Sequence, residues 1–496
     1  MKNLTSLPLF KRLGTKNAFT AIFACATVIL LLLLTVFSLM PRGATLLDIT
    51  KNDEFSLSPE GKALASEISD EVTLYLITSG GADHTRTRAI LEKYALASPR
   101  VTVRVLHAES DLKLIKNYVS YNEYCDGGVI AVSGKRSVYI APHLMLSYSD
   151  SALSIAVSYY SQYASSDSSM TFSSFLALNG AYFGLNDGYS HEQKINAALR
   201  YVTSDNVARL GFISGSADEY FSDAILFKFA EALIETVDLT AESGLSDLDG
   251  ILIMPTDTDI SVSAKNQLSD YISKGGNVVL LSSYGLGKGY ENLSSLCAEM
   301  GLSASDGYVF EDDTKRYYSS PETILPTALC SSIPSVTSDL TLFLPLCNAI
   351  NVSDELPLGV QVTPLIVTSD TSYVKTELKN GYVFDSETDL RAKRSVAVKA
   401  ENASGGQLCY IASSFILTED FNYYSDGANH LVFFSLLKAS MLAEADLAPS
   451  SAPVREIEVA YISPTEGLLY GTIAIGIIIA LASIAVGMIN GFRRNK

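Results

Sequence analysis

Apolar positions recur along this chain at two spacings, about two residues and about 3.6, and the two take turns. The clearest case is the run Leu248-Asp-Gly-Ile-Leu-Ile-Met-Pro255 with the residues up to Ser282. The run ends in a polar turn, Thr256 to Ile260, and a helical pattern opens at Ser261 with Ala264, Leu268, Tyr271 and Ile272 on one face. Lys274-Gly275-Gly276 stops that helix, because glycine takes the left-handed position past a helix end without steric penalty. Asn277 to Ser282 is then a second apolar run. A strand, a helix and a strand within ~30 residues predict two parallel strands joined by a right-handed crossover.

The same alternation extends to both sides. Ser58 before Pro59 marks a helix start, and Leu64 and Ile68 continue its apolar face. Val72–Ile77 and Val101–Val105 have strand patterns, with a helix pattern from Arg86 to Ala97 between them. Gly128–Ser133 and Ser137–Ile140 predict a hairpin around Gly134-Lys135. This order predicts a thioredoxin-like α/β domain over residues 46–145 that lacks the redox cysteines of that fold, and therefore a scaffold or interaction module. Residues 146–189, rich in Ser and Tyr around 147–175, form a connection with helical pieces. Ser190-His-Glu-Gln193 has the capping-box pattern ahead of a helix through Ile195, Ala198 and Leu199 to Val202. It opens a larger domain, 190–441, whose first strand is Val207–Ile213. Beyond residue 305 the pattern turns irregular and β-rich. Val396–Val398 and Gln407–Ala412 then form a closing hairpin or adjacent strands, Asn429–Met441 is helical, and 442–467 is a linker.

Two further segments set the expected topology. Ala18–Met40 is 23 residues without a charge and Leu468–Ile489 is 22. Each is long enough for a hydrocarbon core of ~30 Å, and the bases lie on their outer flanks, in the tails 1–17 and 490–496. The positive-inside rule then predicts two transmembrane helices in the cytoplasmic membrane, both termini cytoplasmic and residues 42–467 outside. Pro41-Arg42 after the first segment is not a small-x-small cleavage site, so an uncleaved anchor is expected. The fold class expected is α/β, two terminal transmembrane helices flanking a thioredoxin-like domain and a larger flavodoxin-like parallel-sheet domain.

Charge and cysteine content sharpen this. The net charge is −18, and without the seven bases of the two tails 29 bases face 54 acids, a net −25. A body so acidic excludes a nucleic-acid partner, which needs a basic surface. Of six cysteines, Cys25 falls in the first apolar segment; the others show no C-x-x-C and no metal-ligand spacing. Cys330 and Cys347 are the closest pair for a disulfide, with buried free thiols the alternative.

Asp48-Ile-Thr50 with Phe55-Ser-Leu-Ser58 just after an apolar anchor resembles the opening of the GldG-like (gliding-motility type) auxiliary proteins of ABC transport systems. Further matches come in order: Ser190–Gln193 with its helix, Arg209–Gly215 with Asp218-Glu219, Leu248–Asn277, Pro364–Ser369, and Tyr410–Phe434 with Asn429 before a helix. The resemblance spans nearly all of residues 46–441. It implies an accessory subunit beside an ABC-2-type permease and a separate ABC ATPase subunit, with a lipid bilayer as further partner. It also implies a class I amidotransferase-like fold for the larger domain. One departure matters: where such proteins commonly carry Gly-His-Gly-Glu after the first strand, this chain has Gly215-Ser-Ala-Asp218.

Catalytic motifs are missing. Gly285-Leu-Gly-Lys288 lacks P-loop spacing and the following hydroxyl, Ser214 is not in a Gly-x-Ser-x-Gly elbow, and Ser282-Ser283 stands where an amidotransferase needs a cysteine. The five histidines, at 84, 107, 143, 191 and 430, show no metal spacing. Asp257 and Asp259 after a strand suit a cation or, more simply, a solvated turn. No catalytic residue, metal or cofactor is expected. Open parallel sheets bind ligands beyond the carboxyl ends of their strands. The candidate crevice is therefore Ser214, Gly215, Ser216 and Asp218, with Thr256 and Asp257, and Ser282, Ser283 and Tyr284. Two functions fit: a non-enzymatic accessory subunit, or an extracytoplasmic module binding a glycan, peptide or small solute in that crevice.

Overall fold

Ser58 begins the first helix of the described residues as its place before Pro59 predicts. Its Oγ accepts from the Gly61 N–H at 3.1 Å, and α1 (Pro59–Glu67) starts there. A second cap reaches across the fold, for Glu192 Oε1 accepts from the Ser58 N–H at 2.7 Å. In the capping-box pattern at Ser190, Ser190 occupies the N-cap without a side-chain cap bond. The computed structural model describes residues 56–79, 84–119, 125–164, 172–179, 186–213, 221–239, 244–254, 258–282, 289–334, 336–376, 383–441 and 455–456. Phe55–Glu456 forms one compact unit.

Its first part is a four-stranded sheet of β1 (Val72–Thr78), β2 (Val101–His107), β3 (Val129–Val132) and β4 (Ser137–Ile140), in the order β2-β1-β3-β4. β1 and β2 are parallel, from Val72↔Val101 to Thr78↔His107, and are joined through α2 (Thr85–Ala97); β3 is antiparallel to β1. Strands β5 (Leu146–Tyr148) and β6 (Asn186–Tyr189) enclose helices α3 (Asp150–Ala164) and α4 (Phe172–Asn179). Arg455–Glu456 pairs with β6. Then comes α5 (His191–Thr203), whose Ile195, Leu199 and Val202 enter one core with Leu74, Leu76, Val129 and Tyr94 of the small sheet's layer.

The larger part continues through β7 (Ala208–Ile213), α6 (Asp223–Glu231), β8 (Ile234–Asp238), β9 (Gly250–Ile253), α7 (Val262–Ser273), β10 (Asn277–Leu281) and α8 (Glu291–Glu299). An insertion of short strands leads to β11 (Gln361–Val367), β12 (Ser395–Glu401) and β13 (Gln407–Ile411), and α9 (Glu419–Tyr424) and α10 (Ala428–Met441) complete the unit. Five strands run parallel in the order β8-β7-β9-β10-β13, and β12 and β11 extend the sheet beyond β13 in antiparallel pairing. Buried Phe212, Ile251, Leu252, Leu280, Val398 and Tyr410 lie in its core.

The fold class expected from the sequence is corrected in two respects. The large sheet is mixed, not parallel throughout. The turn between β12 and β13 spans only residues 402–406, with Asn402 Oδ1 accepting from the N–H groups of Ser404 and Gly406 at 2.9 Å each. A parallel return needs a dozen or more residues, so this connection imposes antiparallel pairing. Second, no helix among the described residues is long and apolar enough to cross a membrane. The charge-free segments 18–40 and 468–489, and the two tails, lie outside the described residues. All five described cysteines are free, Cys330 and Cys347 included.

Candidate functional site

β7, β9 and β10 are parallel neighbours, so the chain leaves all three at one edge of the sheet. Of the residues placed there, Ser214, Gly215, Ser216 and Asp218 after β7, Thr256 and Asp257 after β9, and Ser283 and Tyr284 after β10 lie outside the described residues. Ser282 is described, and it is fully buried. Its Oγ lies 3.1 Å from the Tyr410 hydroxyl and its N–H donates to the Ile411 carbonyl at 3.1 Å. The Ser282 hydroxyl therefore joins two adjacent strands inside the sheet, where burial holds the Tyr410 phenol well above its ordinary range. A hydroxyl paired in this way is part of the core and does not face a ligand.

Asp259, whose place after a strand suits a cation ligand, is a helix cap. Its Oδ2 accepts from the Asn292 N–H at 2.6 Å, and its Oδ1 from the N–H groups of Leu293 at 3.2 Å and Ile260 at 2.8 Å. It thus supplies a carboxylate to the exposed donors at the start of α8, the end of a helix that attracts negative charge. Asn429 latches the insertion: its Oδ1 accepts from the Phe343 N–H at 3.1 Å and its Nδ2 donates to the Phe343 carbonyl at 3.0 Å.

The imidazoles and thiols of the core are held neutral. His430 Nε2 lies 3.1 Å from the Leu417 carbonyl oxygen, and burial, aided by Lys228, takes its pKa down to about 3. His191 Nε2 lies 3.1 Å from Thr87 Oγ1, and burial, with Arg86 nearby, takes it also to about 3. Burial pushes the thiols of Cys297, Cys347 and Cys409 up to about 12. A thiol attacks as its thiolate, so these three pack and do not react at neutral pH. Among the described residues no cluster of three or more His, Cys, Asp or Glu side chains is placed to hold a metal ion.

One polar constellation was not singled out from the sequence. His84 Nε2 lies 2.8 Å from Asp126 Oδ1, which also accepts from the Ser79 N–H at 2.7 Å. Burial raises the Asp126 carboxyl, but the bonds from Ser79 and His84 outweigh it and hold the group below its usual range. Gly127 sits at φ +89°, and a Cβ there would stand 2.8 Å from the His84 ring. The run Asp126-Gly127-Gly128 just before a strand was the available signal.

No family model matches the chain, and no curated protein does. Among solved structures, the mmIFT52 N-terminal domain aligns over 48% of this chain and 99% of its own, at 12% identity and a TM-score of 0.36. A cold-adapted β-galactosidase from Rahnella sp. R3 aligns over 50% of this chain at 13% identity and a TM-score of 0.28, and α-L-fucosidase isoenzyme 2 from Paenibacillus thiaminolyticus over 55% at 15% and 0.30. This chain spans 34% of the length of the galactosidase and 38% of that of the fucosidase. Likenesses at this distance transfer neither activity nor substrate to this chain.

Proposed function

We propose that this chain is a non-enzymatic accessory subunit of an ABC-type transport system, working beside an ABC-2-type permease and a separate ATPase subunit with its body outside the cytoplasmic membrane. The observation offered for the reading concerns the described residues alone, since Ser214, Asp218 and Ser283 lie outside them: it is the state of His430, Ser282 and the core thiols. His430 is buried, neutral and bonded to a backbone carbonyl, Ser282 is paired with Tyr410, and the core thiols are held protonated. An activated nucleophile needs a base within hydrogen-bond reach and a depressed pKa or a free imidazole, and these groups have the opposite properties. The absence of a P-loop from the sequence supports the same division of labour, with ATP hydrolysis left to a partner. The ordered resemblance to GldG-like proteins supplies the transport setting.

The test is affinity purification of the tagged full-length protein in mild detergent, with mass spectrometry of what accompanies it. A permease and an ATPase at near-equal amounts are the expected result. ATP hydrolysis by the purified chain alone would overturn the reading. Recovery of the chain alone after cross-linking would also overturn it and favour an extracytoplasmic ligand-binding module.

A further inference from the structure

Helices α3 and α4, inserted between β5 and β6, share a small core of their own, in which Ala156, Val157 and Phe175 are buried. A second face of α3 is apolar as well. Ile155, Tyr159 and Tyr163 follow one another at i, i+4 and i+8, the spacing of neighbours along a helix surface, and are 48%, 41% and 44% exposed. The Tyr163 ring stands 5.5 Å from that of Phe175, and Leu178, one turn past Phe175 on α4, is 46% exposed. Asp150, at the start of α3, is the only charged residue of the two helices. Single exposed apolar side chains are ordinary on a protein surface, but a stripe of them without charge marks a contact surface.

The places where the chain enters and leaves the unit point to what covers this face. Ser58, near the start, donates its N–H to Glu192 at the beginning of α5, and Arg455 and Glu456, at the end, pair with Tyr189 and Gly188 of β6. Both ends therefore emerge beside the junction of β6 and α5. Strand β5, which leads into α3, pairs with the same Tyr189 through Leu146. Residues 41–55 separate the charge-free segment 18–40 from the unit, and residues 457–467 separate it from the segment 468–489. At no more than ~3.6 Å per residue, the shorter connection spans at most ~40 Å. Lipid that holds either segment is thus kept near the end of the unit from which α3 and α4 spring. Tyrosine, with an apolar ring and a polar tip, suits the headgroup layer. With no cation in the two helices to attract anionic lipid, the contact depends on apolar area and on the local concentration a tether supplies.

We propose that the face of α3 carrying Ile155, Tyr159 and Tyr163, with Leu178 of α4, docks on a lipid surface, its aromatic rings at the level of the headgroups. This rests on the membrane setting of the function proposed above and adds which face of the body meets the bilayer. It does not depend on the permease or the ATPase subunit.

The chain contains no Trp, so one introduced indole reports alone. The test is reconstitution of the full-length Tyr159→Trp, Leu178→Trp and Val262→Trp proteins into phosphatidylcholine vesicles, with and without bromine on the acyl chains, a quencher of indoles that reach it. Neutral lipid avoids repulsion of an acidic body. Emission of Tyr159→Trp and Leu178→Trp is expected to fall about twofold or more with bromine, as for a helix face set ~5–10 Å into the boundary of headgroups and acyl chains. Emission of Val262→Trp, at a position 63% exposed on α7, is expected to stay unchanged. Adding Ile155→Glu to Tyr159→Trp is expected to remove the quenching, and reporters on two helices keep the test decisive if one variant does not fold. Unquenched reporters in protein that floats with the vesicles would overturn the docking and leave the membrane setting intact. Failure of the full-length protein to float would overturn both. Equal quenching of Val262→Trp would show that no face is preferred and would overturn the docking. Shielding of the two reporters by a co-purified permease, and not by lipid alone, would give the face to a protein and overturn the lipid assignment.

Discussion

The small sheet with α5 and the central β9-α7-β10 unit differ in how their helices are bounded. In the central unit the signals that start and stop the helix are local, with one distant addition, Asn402 Nδ2 donating to the Ile272 carbonyl at 2.9 Å. Ser261 Oγ accepts from the Ala264 N–H at 3.1 Å to start α7, and Gly275 at φ +97° stands just past its end. Around the small sheet the bonds are long-range. The turn between β3 and β4 grips the carboxyl end of α5: Arg136 Nε donates to the Tyr201 carbonyl at 3.1 Å, Ser133 Oγ to that of Val202 at 2.5 Å and Lys135 Nζ to that of Thr203 at 3.0 Å. A second Arg136 nitrogen reaches the Ser204 carbonyl. Together they answer the open carbonyls of a helix end with side chains from 65 to 69 positions away, two of them cationic, where the helix dipole favours positive charge. At the other end of α5, Glu192 caps α1. Helix α5 is therefore the piece through which the small sheet is held, and the comparison is tested by removing its two grips.

The largest effect is expected at Glu192. Its side chain is buried and bonds the Ser58 N–H. Glu192→Ala removes a buried acceptor and leaves a helix start without its outside cap, a loss of about 2–3 kcal/mol. Denaturant unfolding measures it, and Glu192→Gln, which keeps an acceptor of the same shape, is expected to recover part. A loss below about 0.5 kcal/mol, the range of an ordinary surface change, would mean that α1 and α5 do not depend on each other.

This contrast also accounts for what was legible in the sequence. The strands and helix of the central unit, with Ser261 at its start and Gly275 after its end, were readable because their determinants lie within a few residues of what they govern. The capping-box pattern at Ser190 paired it with Gln193 and gave Glu192 no role, and only the fold brings Ser58 to Glu192 from 134 positions away. The sheet's order had the same cause: β10 finds its parallel partner β13 at Gln407–Ile411, and nothing near β10 announces that pairing. At the candidate crevice the sequence placed Ser282 at a strand end correctly, but the direction of its hydroxyl was set by Tyr410, 128 positions on. Spacing arguments reach the backbone; they do not reach a side chain whose neighbour is distant.

The second effect is expected at the opposite end of α5. Arg136 is half-buried and makes two bonds to helix-end carbonyls. Arg136→Ala is expected to cost about 1–2 kcal/mol, and Arg136→Lys to recover little, because one ammonium does not reproduce a planar fork serving two carbonyls. Equal stability of the wild type and Arg136→Lys would assign the grip to charge alone. The control in the local region is Ser261→Ala. Loss of one N-cap costs about 1 kcal/mol, and because its bond stays within the β9-α7-β10 unit, hydrogen exchange is expected to rise in α7 and to stay unchanged in α5. Faster exchange in both would break the distinction between the regions.

The smallest effect is expected from acid, and it concerns the third long-range tie of the small sheet, the bond of Asp126 to Ser79 and His84. The folded state holds the Asp126 carboxyl below its usual range. A carboxyl depressed in this way contributes stability that is fully present above its unfolded pKa, about 3.9, and is lost as pH falls through the lower folded value. The gap in stability between wild type and Asp126→Asn is therefore expected to narrow as the pH drops below about 4. Comparing the two proteins at each pH cancels the many other carboxylates of an acidic chain, whose titration neither variant alters. A gap that stays constant into acid would show that Asp126 acts through its shape and neutral bonds. A gap that closes would show that its charge helps tie the end of β1 to the segment entering β3, as side chains rather than neighbouring backbone tie α5 to the small sheet.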